Sequence, residues 1–258
     1  MNMKKTLLLS LTLLSGVAFA NVTLLAELKS YTPENGSPTV GLFDTSGQLI
    51  DGVTYSGFQV SDTGVISTSG RPNNDAGATG VIDMGTHVNG LSISDFSLSF
   101  TATWQPYNDN AQWPNLVVFG EKGGDYTYKV FYSIVDNRYE MAAAGYGTDF
   151  AYPTQVGGLT PGGTHDYILT LSTAAGTEGR TISFYQDGAL VLQATTNQYF
   201  GAPGNMRIGF GGSFGGDQGA TITSLSNVKL YSGVIPEPTT ATLSLLALAG
   251  LAARRRRR

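Results

Sequence analysis

Few residues in this chain have both the type and the spacing for chemistry. There is no cysteine, which excludes disulfides, thiolate metal sites and a cysteine nucleophile. The two histidines, His87 and His165, each lack a second histidine at metal-ligand spacing. Gly211-Gly212-Ser213-Phe214-Gly215 formally matches the G-x-S-x-G pattern of a nucleophile elbow. That device needs a strand, a sharp turn and a helix, with the acid and the histidine following the serine. Both histidines precede Ser213 and no helical period follows it, so a glycine-rich β-turn is expected here. No lysine follows a glycine, so a phosphate-binding loop is absent. The residues predict no catalytic machinery.

Binding chemistry is better represented. Residues 104–113 hold both tryptophans, Trp104 and Trp113, together with Tyr107, Asn108, Asp109 and Asn110. Sugar rings present apolar C–H faces, so aromatic platforms beside amides and carboxylates suit a glycan. The bland alternative puts Trp104 in the core, packs Trp113 beneath Pro114 and leaves the polar run as a solvated turn. Asp125 and Asp149 are candidate calcium ligands in loops, although isolated aspartates commonly serve as turn residues. These residues require no cofactor; calcium stays open and unplaced.

The elements that must position these groups read as strands. Phe96, Leu98 and Phe100 alternate with Ser97 and Ser99, giving one apolar and one polar face. The strand runs on to Trp104. Strands are expected over 22–28, 54–61, 65–68, 79–84, 116–119, 127–135, 138–144, 165–172, 180–186, 189–195, 205–211 and 222–231. Asp44-Thr45-Ser46-Gly47 is a turn signal. Asp136-Asn137 joins one expected hairpin, and Asp187-Gly188 joins another with the strongest short hairpin signal available. Residues 146–163 read as a long connection. No long helical period appears between residues 21 and 235. About a dozen short strands predict an all-β sandwich or barrel.

The two ends carry addresses. Lys4 and Lys5 precede an apolar run over 6–17, and Ala18-Phe19-Ala20 is an A-x-A cleavage signature. Residues 1–20 therefore read as a signal peptide, and signal peptidase as a partner. At the other end stands Pro236-Glu237-Pro238. An apolar, helix-prone run over 239–253 follows, and then Arg254, Arg255, Arg256, Arg257 and Arg258. The prolines impose an extended segment. Fifteen helical residues reach about 22 Å, short of a hydrocarbon core of about 30 Å, so local bilayer thinning is expected. The arginines hold their end on the cytoplasmic side.

Removing Lys4, Lys5 and the five terminal arginines from 15 basic residues, and Glu237 from 19 acidic ones, leaves 8 against 18. The region 21–235 thus carries a net charge of −10. Such a surface repels nucleic acid. It is compatible with calcium, with neutral glycans or simply with solubility.

The order of motif, apolar helix and arginines over 236–258 resembles the PEP-CTERM protein-sorting signal of bacterial surface proteins. The resemblance implies processing by an exosortase-type membrane protease and a transient membrane anchor. It also implies a destination at the cell envelope, outer surface or extracellular matrix. Residues 21–235 resemble a LamG-like jelly roll of the concanavalin A-like lectin/glucanase group. The likeness rests on Asp44-Thr45-Ser46-Gly47 and on Val81-Ile82-Asp83-Met84-Gly85 leading to Phe96-Ser97-Leu98-Ser99-Phe100. It rests also on Trp104-Gln105-Pro106, Phe184-Tyr185-Gln186-Asp187-Gly188, Met206-Arg207-Ile208-Gly209 and Val228-Lys229-Leu230-Tyr231. It implies a jelly-roll β-sandwich, a fold that hosts lectins, enzymes and inert spacers. The Glu-x-Asp-x-x-Glu strand of the group's glucanases is missing, because no glutamate here is followed two residues later by aspartate. Glycan or exopolysaccharide binding is the expected role. A structural spacer is the alternative, followed by a glycoside hydrolase.

Overall fold

A computed structural model describes residues 22–68, 80–88, 95–106, 114–121, 127–133, 138–144, 149–151, 163–173, 180–196, 206–212 and 220–235. Sixteen strands occur among them. In chain order they begin with β1 (Thr23–Tyr31), β2 (Thr39–Asp44), β3 (Thr54–Ser56), β4 (Phe58–Val60), β5 (Ile66–Thr68) and β6 (Gly80–Gly85). The middle of the chain supplies β7 (Phe96–Pro106), β8 (Asn115–Glu121), β9 (Thr127–Ser133), β10 (Arg138–Ala144) and β11 (Asp149–Ala151). The last are β12 (Thr164–Thr173), β13 (Arg180–Gln186), β14 (Ala189–Thr196), β15 (Met206–Phe210) and β16 (Ala220–Ser232). No helix occurs among the described residues.

The strands form two antiparallel sheets. One has nine strands, in the order β14-β13-β12-β7-β16-β1-β2, with β5 and β4 attached through β16. The other has seven, in the order β11-β10-β9-β8-β15-β6-β3. The long β7 is central because its alternation is clean. Phe96, Leu98, Phe100, Ala102 and Trp104 are all buried, and its partners on β12 repeat the period, pairing Tyr167 with Phe100, Leu169 with Leu98 and Leu171 with Phe96.

The apolar faces of the two sheets meet. Phe96 packs edge-on against Phe119 at 5.6 Å, Phe100 against Phe210 at 5.3 Å, and Phe184 against Tyr139 at 5.3 Å. Each pair joins a strand of the larger sheet to one of the smaller. Each fully buried ring contributes roughly 1.5–3 kcal/mol by leaving water. The result is an all-β, two-sheet sandwich, consistent with the expected jelly roll.

Where the chain departs from the expected strands, local physics explains it. The single strand expected over 54–61 is broken at Gly57, whose φ of 69° turns the chain. The part before it joins the seven-stranded sheet and the part after it the nine-stranded one. β2 was not expected. Gly41 within it weakens the β signal, yet a larger residue there would have to displace neighbouring side chains. A Cβ at Gly41 would sit 2.6 Å from Leu49 Cδ1 and 2.7 Å from Tyr31 Cε1. β11 lies inside the segment expected to be a connection.

Other elements fall as expected. Asp187 and Gly188 take φ values of 49° and 78°, and Gln186 pairs with Ala189 across them. Two successive left-handed residues match the right-handed twist of the flanking strands. β9 and β10 pair antiparallel from Ser133 and Arg138; the Asp136-Asn137 turn itself lies outside the described residues.

Candidate functional site

Trp104 is 2 % exposed. Its Nε1 donates to Tyr167 Oη at 2.9 Å. Tyr167 Oη lies 3.3 Å from Tyr139 Oη, which donates to Gln186 Oε1 at 2.9 Å. All four residues are buried, so this is one polar chain crossing between the sheets. Tyr167 also stacks on Phe100 and Phe184, at 5.1 and 5.5 Å. Burial raises the Tyr167 phenol above its ordinary value, against the opposing effect of its bonds to Tyr139 and Trp104. Trp104 is therefore no platform for a ligand arriving from solvent. The period that brings Phe96 and Phe100 inward brings Trp104 inward too. Tyr107, Asn108, Asp109, Asn110 and Trp113 lie outside the described residues, as do Asp125, Ala18, Ala20 and the tail from Pro236 to Arg258.

Residues 107–113 join the end of β7 to the region of β8. At that end, the outward face of the nine-stranded sheet carries a connected set of polar groups. Asn227 Nδ2 donates to Thr101 Oγ1 at 3.1 Å, and Thr101 Oγ1 donates to Asp166 Oδ1 at 2.6 Å. The hydroxyls of Thr103 and Thr164 lie 2.7 Å apart, and Thr223 Oγ1 donates to the Thr103 carbonyl. Thr164, Asp166, Thr223 and Asn227 are exposed. A bulge in β16 positions the amide, since Asn227 sits at φ 52° where the register with β7 shifts. The sequence offered no signal for this set, because its members come from three strands that only the sheet order brings together.

The hairpin after β13 closes one side of the same end. Asp187 Oδ1 accepts from the Asp166 backbone N–H at 3.0 Å, and Oδ2 meets His165 Nδ1 at 2.7 Å. Partial burial opposes ionisation of Asp187. The hydrogen bonds from Asp166 and His165 outweigh it and hold the carboxyl below its ordinary 3.8. A depressed carboxylate contributes stability above its unfolded pKa and loses it as pH falls through the lower folded value. Exposure of Asp187 keeps this contribution small. Melting curves of the native chain and of Asp187→Asn should differ at pH 6, with the gap closing as pH falls below about 4. A gap that stays constant to pH 2 would refute the carboxylate's role. His165 is thus a hairpin partner. His87 is exposed, with its ring lying against Gly52.

The G-x-S-x-G match opens on a structural glycine. Gly211 has φ 78°, and a Cβ there would lie 2.6 Å from the Ala220 carbonyl oxygen. Its N–H donates to Leu116 O and its carbonyl accepts from Ala220 N. Ser213 and the residues up to Gly215 lie outside the described residues.

The seven-stranded sheet holds charged groups that the sequence did not single out. Arg207 Nε donates to Asp83 Oδ2 at 3.1 Å across the β15–β6 pair, with the Asp83 side chain only 10 % exposed. Glu140, on β10, is 5 % exposed. β10 and β6 are four strand spacings apart, about 19 Å in all. A glycosidase pair stands at about 5–9.5 Å, so these two carboxylates do not form one. Among the described residues no group of three His, Asp or Glu is arranged to hold a metal.

No protein-family model matches the chain. No curated protein matches it either. Among solved structures, it is similar to the binding domain of Paraclostridial Mosquitocidal Protein 1, with 14 % identity and a TM-score of 0.51. That match covers 85 % of this chain and 51 % of the other. It is similar also to Trypanosoma rangeli sialidase, with 16 % identity and a TM-score of 0.50, over 83 % of this chain and 31 % of that one. A third is domain 4 of AbnA, an extracellular arabinanase from Geobacillus stearothermophilus, in complex with arabinotriose. It has 14 % identity and a TM-score of 0.48, with 82 % and 95 % covered. The first two likenesses show the fold. Asp83 and Glu140 are buried charges on sheet strands, and Arg207 is half-buried beside Asp83. Thr164, Asp166, Thr223 and Asn227 lie exposed on the described surface.

Proposed function

We propose that the chain is an exported, non-catalytic β-sandwich of LamG-like type that binds glycans or exopolysaccharide at the cell surface or in the extracellular matrix. The observation that carries this reading is the exposed Asn227–Thr101–Asp166 and Thr103–Thr164 array beside the departure of residues 107–113. Carboxylate, amide and hydroxyl groups in hydrogen-bonded order can meet several sugar hydroxyls at once. On this reading Tyr107 and Trp113, in the segment that follows β7 in the sequence, are the aromatic candidates for stacking on a sugar ring. The negative charge of region 21–235 suits a neutral sugar and excludes a polyanion. The binding domain of Paraclostridial Mosquitocidal Protein 1, a solved structure that shares the fold, is compatible with it. The signal peptide and the Pro-Glu-Pro tail add an export route and processing by an exosortase-type protease, with the membrane as a transient anchor.

Burial of Trp104 favours a second reading, a spacer that binds nothing, because it removes one of three aromatics from the candidate platform. A glycan array probed with residues 21–235, with and without calcium, separates the two. Saturable binding supports the first reading. In that event Trp113→Ala should weaken affinity more than tenfold, about 1.4 kcal/mol, with melting nearly unchanged. Full-strength binding by the variant, with lowered melting, would make Trp113 a packing residue. No saturable binding to any glycan would leave the spacer.

A further inference from the structure

The domain ends on a small hydrogen-bonded device. β16 finishes at Ser232, opposite Phe96, and Gly233 takes φ 78°. The Gly233 N–H donates to Asp95 O at 2.9 Å. The Ser97 hydroxyl then donates to the Gly233 carbonyl at 2.9 Å and accepts from the Ile235 N–H at 2.9 Å. Ser97 lies between the inward-facing Phe96 and Leu98, so it belongs to the outward face of β7. It is nevertheless fully buried, at 0 % exposure. One side chain thus takes the place of a strand's backbone and holds the chain two residues beyond the end of the ladder. The next residue is Pro236, which has no N–H to continue any such pairing.

We propose that Ser97 is a latch that holds residues 233–235 against the domain and gates protease access to the Pro236-Glu237-Pro238 segment. Endoproteases and transpeptidases bind their substrates as extended chains, with several residues on each side of the cut. A cleavage site immediately after a latched segment has no free chain on its N-terminal side. Opening 233–235 supplies three further residues, about 10 Å of extended chain. Cleavage near the motif then proceeds from the opened form, at a rate set by the population of that form. The inference rests on the sorting reading for its biological partner. The latch itself rests only on described residues.

The test uses the full chain in detergent micelles and proteinase K, a protease with no motif preference. Cuts between residues 232 and 238 are timed by intact mass. Ser97→Ala leaves the Gly233 carbonyl and the Ile235 N–H without their partner. It should speed cutting in this window at least tenfold. Ser97→Thr keeps a hydroxyl and should cut near the native rate. Equal rates for the native chain and Ser97→Ala overturn the proposal. Should Ser97→Ala fail to fold, hydrogen exchange at the Ile235 amide of the native chain decides. Protection of at least tenfold supports the latch, and exchange at the unprotected rate overturns it. Failure of the sorting reading is a separate result, because proteinase K needs no motif. Glu237→Ala processed like the native chain in cells would remove the exosortase-type partner and leave the latch standing.

Discussion

Trp104→Ala should cost about 3–5 kcal/mol of stability, the usual range for emptying a buried tryptophan site. The cost has two parts. Removing the indole leaves a cavity between the sheets, where Trp104 is 2 % exposed. It also takes away the donor to Tyr167 Oη, at one end of the buried chain through Tyr139 to Gln186. For a domain of this size the melting temperature should fall by about 6–20 °C in a calorimetric scan. Tyr167→Phe separates the parts, because it keeps the ring and removes the oxygen. It removes the Tyr167 Oη acceptor 2.9 Å from the indole nitrogen and should cost about 1 kcal/mol. Unchanged melting in Trp104→Ala would mean that the two sheets do not meet at this residue.

The second large effect concerns the tail. On the sorting reading, Glu237→Ala should abolish processing and leave full-length precursor in the membrane fraction. That reading expects the two prolines to favour an extended segment, with the carboxylate between them as its one charged recognition group. The same reading expects the arginine cluster to keep the unprocessed end on the cytoplasmic side. Intact-mass analysis of membrane and secreted fractions reads the outcome directly. A secreted variant of the mass expected for complete tail removal would show that Glu237 plays no part. This experiment and the latch test are complementary, one probing recognition of the motif and the other access to it.

Much of the sandwich was legible in the sequence, for a reason visible along β7. A strand with one face in the core must alternate, so Phe96, Leu98 and Phe100 announced both the strand and its inward side. The same period already implied that Trp104, eight residues after Phe96, points inward. Its place in a candidate binding loop came from composition, and the period is what decides. Asp187-Gly188 was equally legible, since a two-residue turn between twisted strands needs two left-handed residues and this pair tolerates them. Local chemistry of this kind belongs to neighbouring residues, and a linear reading finds it.

What the sequence determined by itself was therefore the class of the fold, its strand faces and its tightest turn, all consequences of interactions within a few residues. The tertiary structure decided everything that depends on sheet order. It placed Asn227 beside Thr101 and Asp166, 126 and 65 residues from Thr101 along the chain. It paired Arg207 with Asp83 across 124 residues. It moved the chain between sheets at Gly57, and it set Ser97 under Gly233 and Ile235. None of these has a signature in spacing, because hydrogen bonds between strands fix neighbours by register and leave the intervening length free.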